Sequence, residues 1–220
     1  MVNGHYICFE GPDLVGKSTI ARQVNEWLTN AGIKSIIAPQ PGATPLGNRL
    51  REILKHDKDI KLGKETEAMM FVLDHMAFIE NVLPNALSNG WILSDRCNPI
   101  SALVYQTLNG IQPKRLEQLY SIINSPLIDT LFIMNATKEV LRQRASERPE
   151  KWDRYESNSS YMDNVRQAYV NLIESHTNYL YKLANRIIYI DANQTIDQVF
   201  KTVTDMLHDD VANYLHLKQQ

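Results

Sequence analysis

Phe9-Glu10-Gly11-Pro12-Asp13-Leu14-Val15-Gly16-Lys17-Ser18-Thr19 sets two glycines five positions apart and follows them at once with a lysine and two hydroxyl residues. This is the spacing G-x-x-x-x-G-K-[ST]. Glycines let the backbone turn its N–H groups inward around phosphate oxygens, the lysine adds a point charge, and the hydroxyl can reach a metal ion. The flanks agree with that use. His5-Tyr6-Ile7-Cys8-Phe9 is a short apolar, β-prone run, and Ser18 to Leu28 carries helical spacing at Ile20, Val24, Trp27 and Leu28. Strand, loop and helix in this order bring loop amides and the positive end of a helix to one anion. Gly11 to Thr19 are therefore the candidate residues for a nucleoside triphosphate, read as ATP: Gly11, Pro12, Asp13, Leu14, Val15 and Gly16 as the cradle, Lys17 on the β- and γ-phosphates, Ser18 on Mg²⁺ and Thr19 on the α-phosphate.

Outward from this loop the alternation continues. Lys34 to Ala38, Trp91 to Asp95, Leu131 to Met134 and Ile187 to Ile190 read as four further strands, with helical patterns between them. The pattern predicts an α/β fold with three layers, a five-stranded parallel sheet and helices on both faces. A helix is predicted over Leu46 to Leu54 and a longer one over Glu65 to Leu87, with Pro84 kinking its end; His208 to Gln220 reads as a frayed terminal helix. The 220 residues are expected to form one domain.

Charged residues make up 22% of the chain and the formal net charge is −2, so a polyanionic nucleic acid is not an expected partner, while small nucleotides are. Apolar runs are too short for a membrane span, and the N-terminus has no basic stretch leading into an apolar one. Cys8 and Cys97 give no disulfide framework and no zinc spacing. The expected address is cytoplasmic.

Several further stretches carry a resemblance. Phe9-Glu10-Gly11-Pro12-Asp13 through Ser18-Thr19, Pro41-Gly42-Ala43-Thr44-Pro45-Leu46-Gly47, Asp95-Arg96 with Ser101 and Tyr105-Gln106, and Val165-Arg166-Gln167-Ala168-Tyr169 stand in this order along the chain. Together they resemble the thymidylate kinase family of P-loop nucleoside monophosphate kinases. The resemblance implies transfer of the γ-phosphoryl group of ATP, with Mg²⁺, to a pyrimidine deoxynucleoside monophosphate. It also implies roles. Asp13 reaches the acceptor sugar, Arg96 holds the acceptor phosphate, Phe71 stacks on the base, and Ser101, Tyr105 and Gln106 complete the acceptor site. Asp95 holds a metal-bound water. A short lid over about 144–156 supplies Arg148 and Arg154 to the transferred group, and Arg144 lies nearer the adenine. A homodimer packed through helices is implied as well, with Met69 to Leu83 a candidate face. On composition alone Phe71 reads as a core ring, and the alternative for Arg96 is a surface ion pair.

Four departures fall on the acceptor side. Pro39 and Gln40 replace an arginine and a glutamate, His75 replaces an arginine that contacts the base, Cys97 replaces a tyrosine, and Arg96 to Ser101 is one residue longer than the family pattern. Arg49 or Arg51 is the expected compensating cation, and His75 is expected to contact the base through a pH-dependent charge. These changes leave dTMP or a variant pyrimidine deoxynucleotide as the acceptor. Two other readings stand beside this one: a deoxynucleoside kinase using Glu10 or Asp95 as base, and a nucleotide-binding protein without turnover.

Overall fold

The computed structural model describes residues 4–57, 59–147, 159–175 and 177–218. In chain order the elements are β1 (Tyr6–Glu10), α1 (Lys17–Asn30), β2 (Ser35–Pro39), α2 (Pro45–Lys55), α3 (Lys64–Asn81), α4 (Leu83–Asn89), β3 (Trp91–Asp95) and α5 (Asn98–Leu108). They continue with α6 (Pro113–Ser121), β4 (Ile128–Asn135), α7 (Lys138–Glu147), α8 (Ser159–Ser175), α9 (Thr177–Leu180), β5 (Ala184–Asp191) and α10 (Ile196–Lys218).

Each of the five predicted strands forms. They pair in parallel in the order β2-β3-β1-β4-β5, so β1 is central, with Tyr6 beside Ile92 and Phe9 beside Phe132. Both faces of a parallel sheet must be covered, and the alternation along β1 shows how. Tyr6 and Cys8 enter a core with residues of α3, α5 and α8, whereas Ile7 and Phe9 enter a second core with residues of α1 and α10. The carboxyl ends of β1 and β3 thus emerge side by side at one edge, where open α/β sheets bind their ligands.

Two glycines are required at the β1–α1 turn. A Cβ on Gly11 would stand 2.2 Å from the Met134 carbonyl oxygen, and Gly16 caps α1 with φ 103°, a left-handed conformation that other residues adopt only with strain.

The long helix expected over Glu65 to Leu87 divides at Val82 into α3 and α4. Pro84 sits in the first turn of α4, where its missing N–H has no intrahelical partner to lose. The terminal segment also differs from expectation: α10 runs on to Lys218 rather than fraying from His208. Val199, Val203, Leu207, Val211 and Tyr214 form one buried stripe, and the Tyr214 ring meets Trp91 edge-on at 5.6 Å. No helix among the described residues is long and apolar enough to cross a membrane.

Removal of that anchor should be felt. Tyr214→Ala is expected to lower unfolding free energy by about 3 kcal/mol, the cost of emptying a buried aromatic site, in urea melts.

Candidate active site

Gly16 in its left-handed conformation leaves the first amides of α1 open at the mouth of the loop. Lys17 is buried and folds back on the loop, its Nζ donating to the carbonyl oxygens of Gly11 at 2.9 Å and Pro12 at 2.7 Å. Burial, then the neighbouring Arg96 guanidinium, lower the Lys17 ammonium to about 8 against the opposing pull of Asp13, Asp95 and Glu10. Ser18, exposed on the first turn of α1, donates its hydroxyl to Asp95 Oδ2 at 2.5 Å, which joins the end of β3 to the loop.

Glu10 ends β1 and is fully buried. Its Oε1 accepts from the Cys97 N–H and the Ser101 hydroxyl, both at 2.7 Å, and its Oε2 accepts from the Tyr169 hydroxyl at 2.7 Å and the Gly11 N–H at 3.2 Å. One carboxylate therefore ties the β1 end, the loop after β3, α5 and α8.

Arg96, with φ 78°, turns back over this point. Its Nη1 donates to the Gly11 carbonyl at 3.1 Å and the Tyr169 hydroxyl at 3.0 Å, and its Nη2 to Asp13 Oδ1 at 2.5 Å and the Tyr105 hydroxyl at 3.0 Å. Glu10 Oε2 stands 3.7 Å from the same guanidinium. Burial would raise the Asp13 carboxyl, but Arg96, Lys17 and Lys55 outweigh it and hold it well below the usual carboxylate range. Around Arg96 burial is outweighed by Tyr105, Asp13, Tyr169 and Glu10, which raise its pKa above the usual guanidinium value and keep it charged.

Beside this cluster opens a pocket walled by Asp13, Phe71, Arg96, Ser101, Tyr105 and Gln106. These residues, chosen from three separate stretches of sequence, share one cavity. Two others expected there do not line it. Arg51 donates Nη1 to the Pro41 carbonyl at 2.8 Å, and the cation that α2 contributes to the wall is Lys55, one turn later. His75 is 1% exposed behind Gln40, with Nδ1 3.0 Å from Gln40 Oε1. Burial lowers its pKa to about 3, so the expected pH-dependent charge is absent near neutrality.

Arg144 bridges the outer side of the phosphate loop, donating to the Val15 carbonyl at 3.1 Å and, beyond β5, to the Ala192 carbonyl at 2.8 Å. Thr19 is half-buried on α1. Arg148, Arg154 and the lid from 148 onward lie outside the described residues. The sequence reading missed Lys55 and Asn98 on the pocket wall, and it gave Tyr169 no role. Only helical spacing could have found Lys55, since it stands one turn from Arg51 on α2.

A strand–loop–helix phosphate cradle meeting an arginine-walled pocket at the carboxyl edge of a parallel 2-3-1-4-5 sheet defines a P-loop kinase of the nucleoside monophosphate class. Comparison with known proteins sharpens this. The family model described as thymidylate kinase matches residues 9–203. The chain is 33% identical over 208 residues to the thymidylate kinase of Buchnera aphidicola, covering 90% of this chain and 92% of that protein. Similar matches are the thymidylate kinases of Blochmanniella pennsylvanica, 31% identical with 92% and 94% covered, and of Synechococcus sp., 32% identical with 79% and 86% covered. The chain belongs to the thymidylate kinase family.

The state of Lys17 gives a pH signature. Its folded pKa lies below the unfolded value, so below about 8 both states are protonated, and between about 8 and 10.5 only the unfolded chain keeps the extra proton. Stability of the ligand-free protein should therefore rise with pH in that window. If Lys17 serves a triphosphate, ATP affinity should move the other way, weakening above about pH 8 as the ammonium is lost. Calorimetric titration between pH 7.5 and pH 9.5 checks this, and the dependence should flatten in Lys17→Met.

Proposed function

We propose that this chain transfers the γ-phosphoryl group of ATP to dTMP, yielding ADP and dTDP. The observation that carries the reading is the position of Arg96, whose one guanidinium touches the phosphate loop at Gly11 and also walls the acceptor pocket. A planar fork at that junction can hold the acceptor phosphate in line with the γ-phosphate.

An acceptor phosphate oxygen is already a nucleophile, so positioning and charge neutralisation suffice and no general base is needed. Glu10 supports this. Its two oxygens accept four hydrogen bonds, which leaves it no capacity to take a proton from a sugar hydroxyl and removes one of the two bases, Glu10 or Asp95, that the deoxynucleoside kinase reading offers. On binding ATP, Lys17 exchanges the Gly11 and Pro12 carbonyls for phosphate oxygens. Phe71 offers its ring to the base, and Asp13 and Tyr105, joined at 3.0 Å, face the sugar.

The Ser18 hydroxyl and the Asp95 carboxylate are hard oxygen donors in direct contact, a set that suits Mg²⁺ held largely by phosphate and water. When bound, Mg²⁺ would be held from the protein side by Ser18 and Asp95 and would supply positive charge against the transferring phosphoryl group. Arg148 and Arg154 belong to the proposal as cations over the migrating group, and Arg144 as the group nearest the adenine. The two buried free thiols accord with a cytoplasmic enzyme. A homodimer is part of the same reading, since Met69 and Leu73 leave 47% and 44% of their surface exposed one turn apart on α3.

Incubation with ATP, Mg²⁺ and a panel of nucleoside monophosphates is expected to give dTDP and ADP in equal amounts with dTMP. ATP binding without ADP release for any acceptor, or turnover of thymidine in place of its monophosphate, contradicts the reading. Arg96→Lys should lose at least about 100-fold in kcat/KM for dTMP, because a lysine cannot reproduce the bidentate fork. Light scattering should show a dimer that Leu73→Glu dissociates.

A further inference from the structure

Glu67, Phe71 and Asp74 stand at i, i+4 and i+7 on α3 and so share one face. Phe71 walls the pocket, and the two carboxylates beside it, both buried, each hold a side-chain amide of α5. Glu67 Oε1 accepts from Gln106 Nε2 at 2.9 Å. Asp74 Oδ2 accepts from Asn98 Nδ2 at 2.7 Å, and the same nitrogen donates to the Phe71 carbonyl at 3.0 Å.

A carboxylate only accepts, so neither amide can turn over without setting its carbonyl oxygen against an anion. Asn98 and Gln106 are each 1% exposed and both line the pocket. Asn98 Nδ2 donates both its hydrogens, to Asp74 and to the Phe71 carbonyl, and Gln106 Nε2 donates one to Glu67. Their oxygens, Asn98 Oδ1 and Gln106 Oε1, are buried without a hydrogen-bond partner among the described residues. The residue after Asp74 supplies no compensating donor, because His75 faces Gln40.

Two buried acceptors without donors are costly, and a ligand that brings N–H groups to them is favoured. Thymine has one such group on its pairing edge, N3–H, flanked by two carbonyl oxygens; whichever oxygen takes N3–H, a base carbonyl is left toward the other. A 4-aminopyrimidine carries an exocyclic amine with two hydrogens, and sets no carbonyl oxygen at that ring position. Resting on the reading that this pocket holds the acceptor base, we propose that the acceptors of this kinase include 4-aminopyrimidine deoxynucleoside monophosphates of the dCMP class, with Asn98 as the residue that admits the amine. The chemistry is unchanged: the bond from the γ-phosphorus to the bridging oxygen breaks, a bond to the acceptor phosphate oxygen forms, and ADP leaves.

The test is kcat/KM for dTMP, dUMP and dCMP with ATP and Mg²⁺, in the unaltered chain and in Asn98→Leu. The dCMP value is expected within about 100-fold of the dTMP value, and the dCMP to dTMP ratio should fall about tenfold or more in the variant, the worth of one hydrogen bond to a buried group. A purely structural role for Asn98 would lower both substrates alike, and that parallel loss overturns the proposal. Rapid turnover of dTMP with dCMP more than about 10⁴-fold poorer, a discrimination reached by sites built against the missing group, overturns it too and leaves the dTMP reading intact. Failure with dTMP as well sinks both. Should Asn98→Leu not fold, Gln106→Met reads the same ratio with the same two outcomes.

Discussion

A single buried carboxylate holds the two halves of the site in register. Glu10 accepts from Gly11 at the start of the phosphate loop, from Cys97 and Ser101 at the start of α5, and from Tyr169 of α8. The donor cradle is an extension of β1, and the acceptor pocket is built largely from α3 and from the chain between β3 and the end of α5. Nothing in the sheet alone fixes the distance between them at the ångström scale that in-line transfer demands. Glu10 does so by committing all its hydrogen-bonding capacity at that junction, so its burial carries little desolvation cost that is not offset.

The charges around it are arranged for the same end. Asp13 and Glu10 neutralise Arg96 before any ligand enters, and Lys17 rests on loop carbonyls. Phosphate groups can displace these internal partners one for one. The cations are thus preorganised in a partly dry cleft, where their attraction for developing charge is stronger than in water. Burial and the nearby Arg96 guanidinium depress the Lys17 ammonium, a cost that a bound polyanion would offset.

Much of this was legible because it is local. The glycine–lysine spacing, the strand before it and the helix after it come from short-range chemistry, and the alternation of apolar runs yields a parallel sheet. The family's ordered motifs placed Asp13, Phe71, Arg96, Ser101, Tyr105 and Gln106, which share one cavity. The features that could not be read depend on side-chain packing between distant segments. Glu10 as a hub needs partners up to 159 positions away, and Lys55 rather than Arg51 reaches the wall because of one helical turn. His75 resembles a polar contact in sequence and is a neutral buried ring in the fold. The terminal segment looked frayed because its apolar stripe is diluted by polar neighbours, while Val211 and Tyr214 keep it docked.

If Glu10 sets the register, exchanging one of its oxygens for an N–H donor should disturb both halves at once, since that donor must face another donor. The direct measurement is kcat/KM for dTMP in folded Glu10→Gln. A loss of about 100-fold or more, the consequence of misplacing reacting groups by roughly an ångström, is the predicted result. Activity within about threefold of the unaltered chain, well inside what loss of one charged hydrogen bond should cost, would contradict the account.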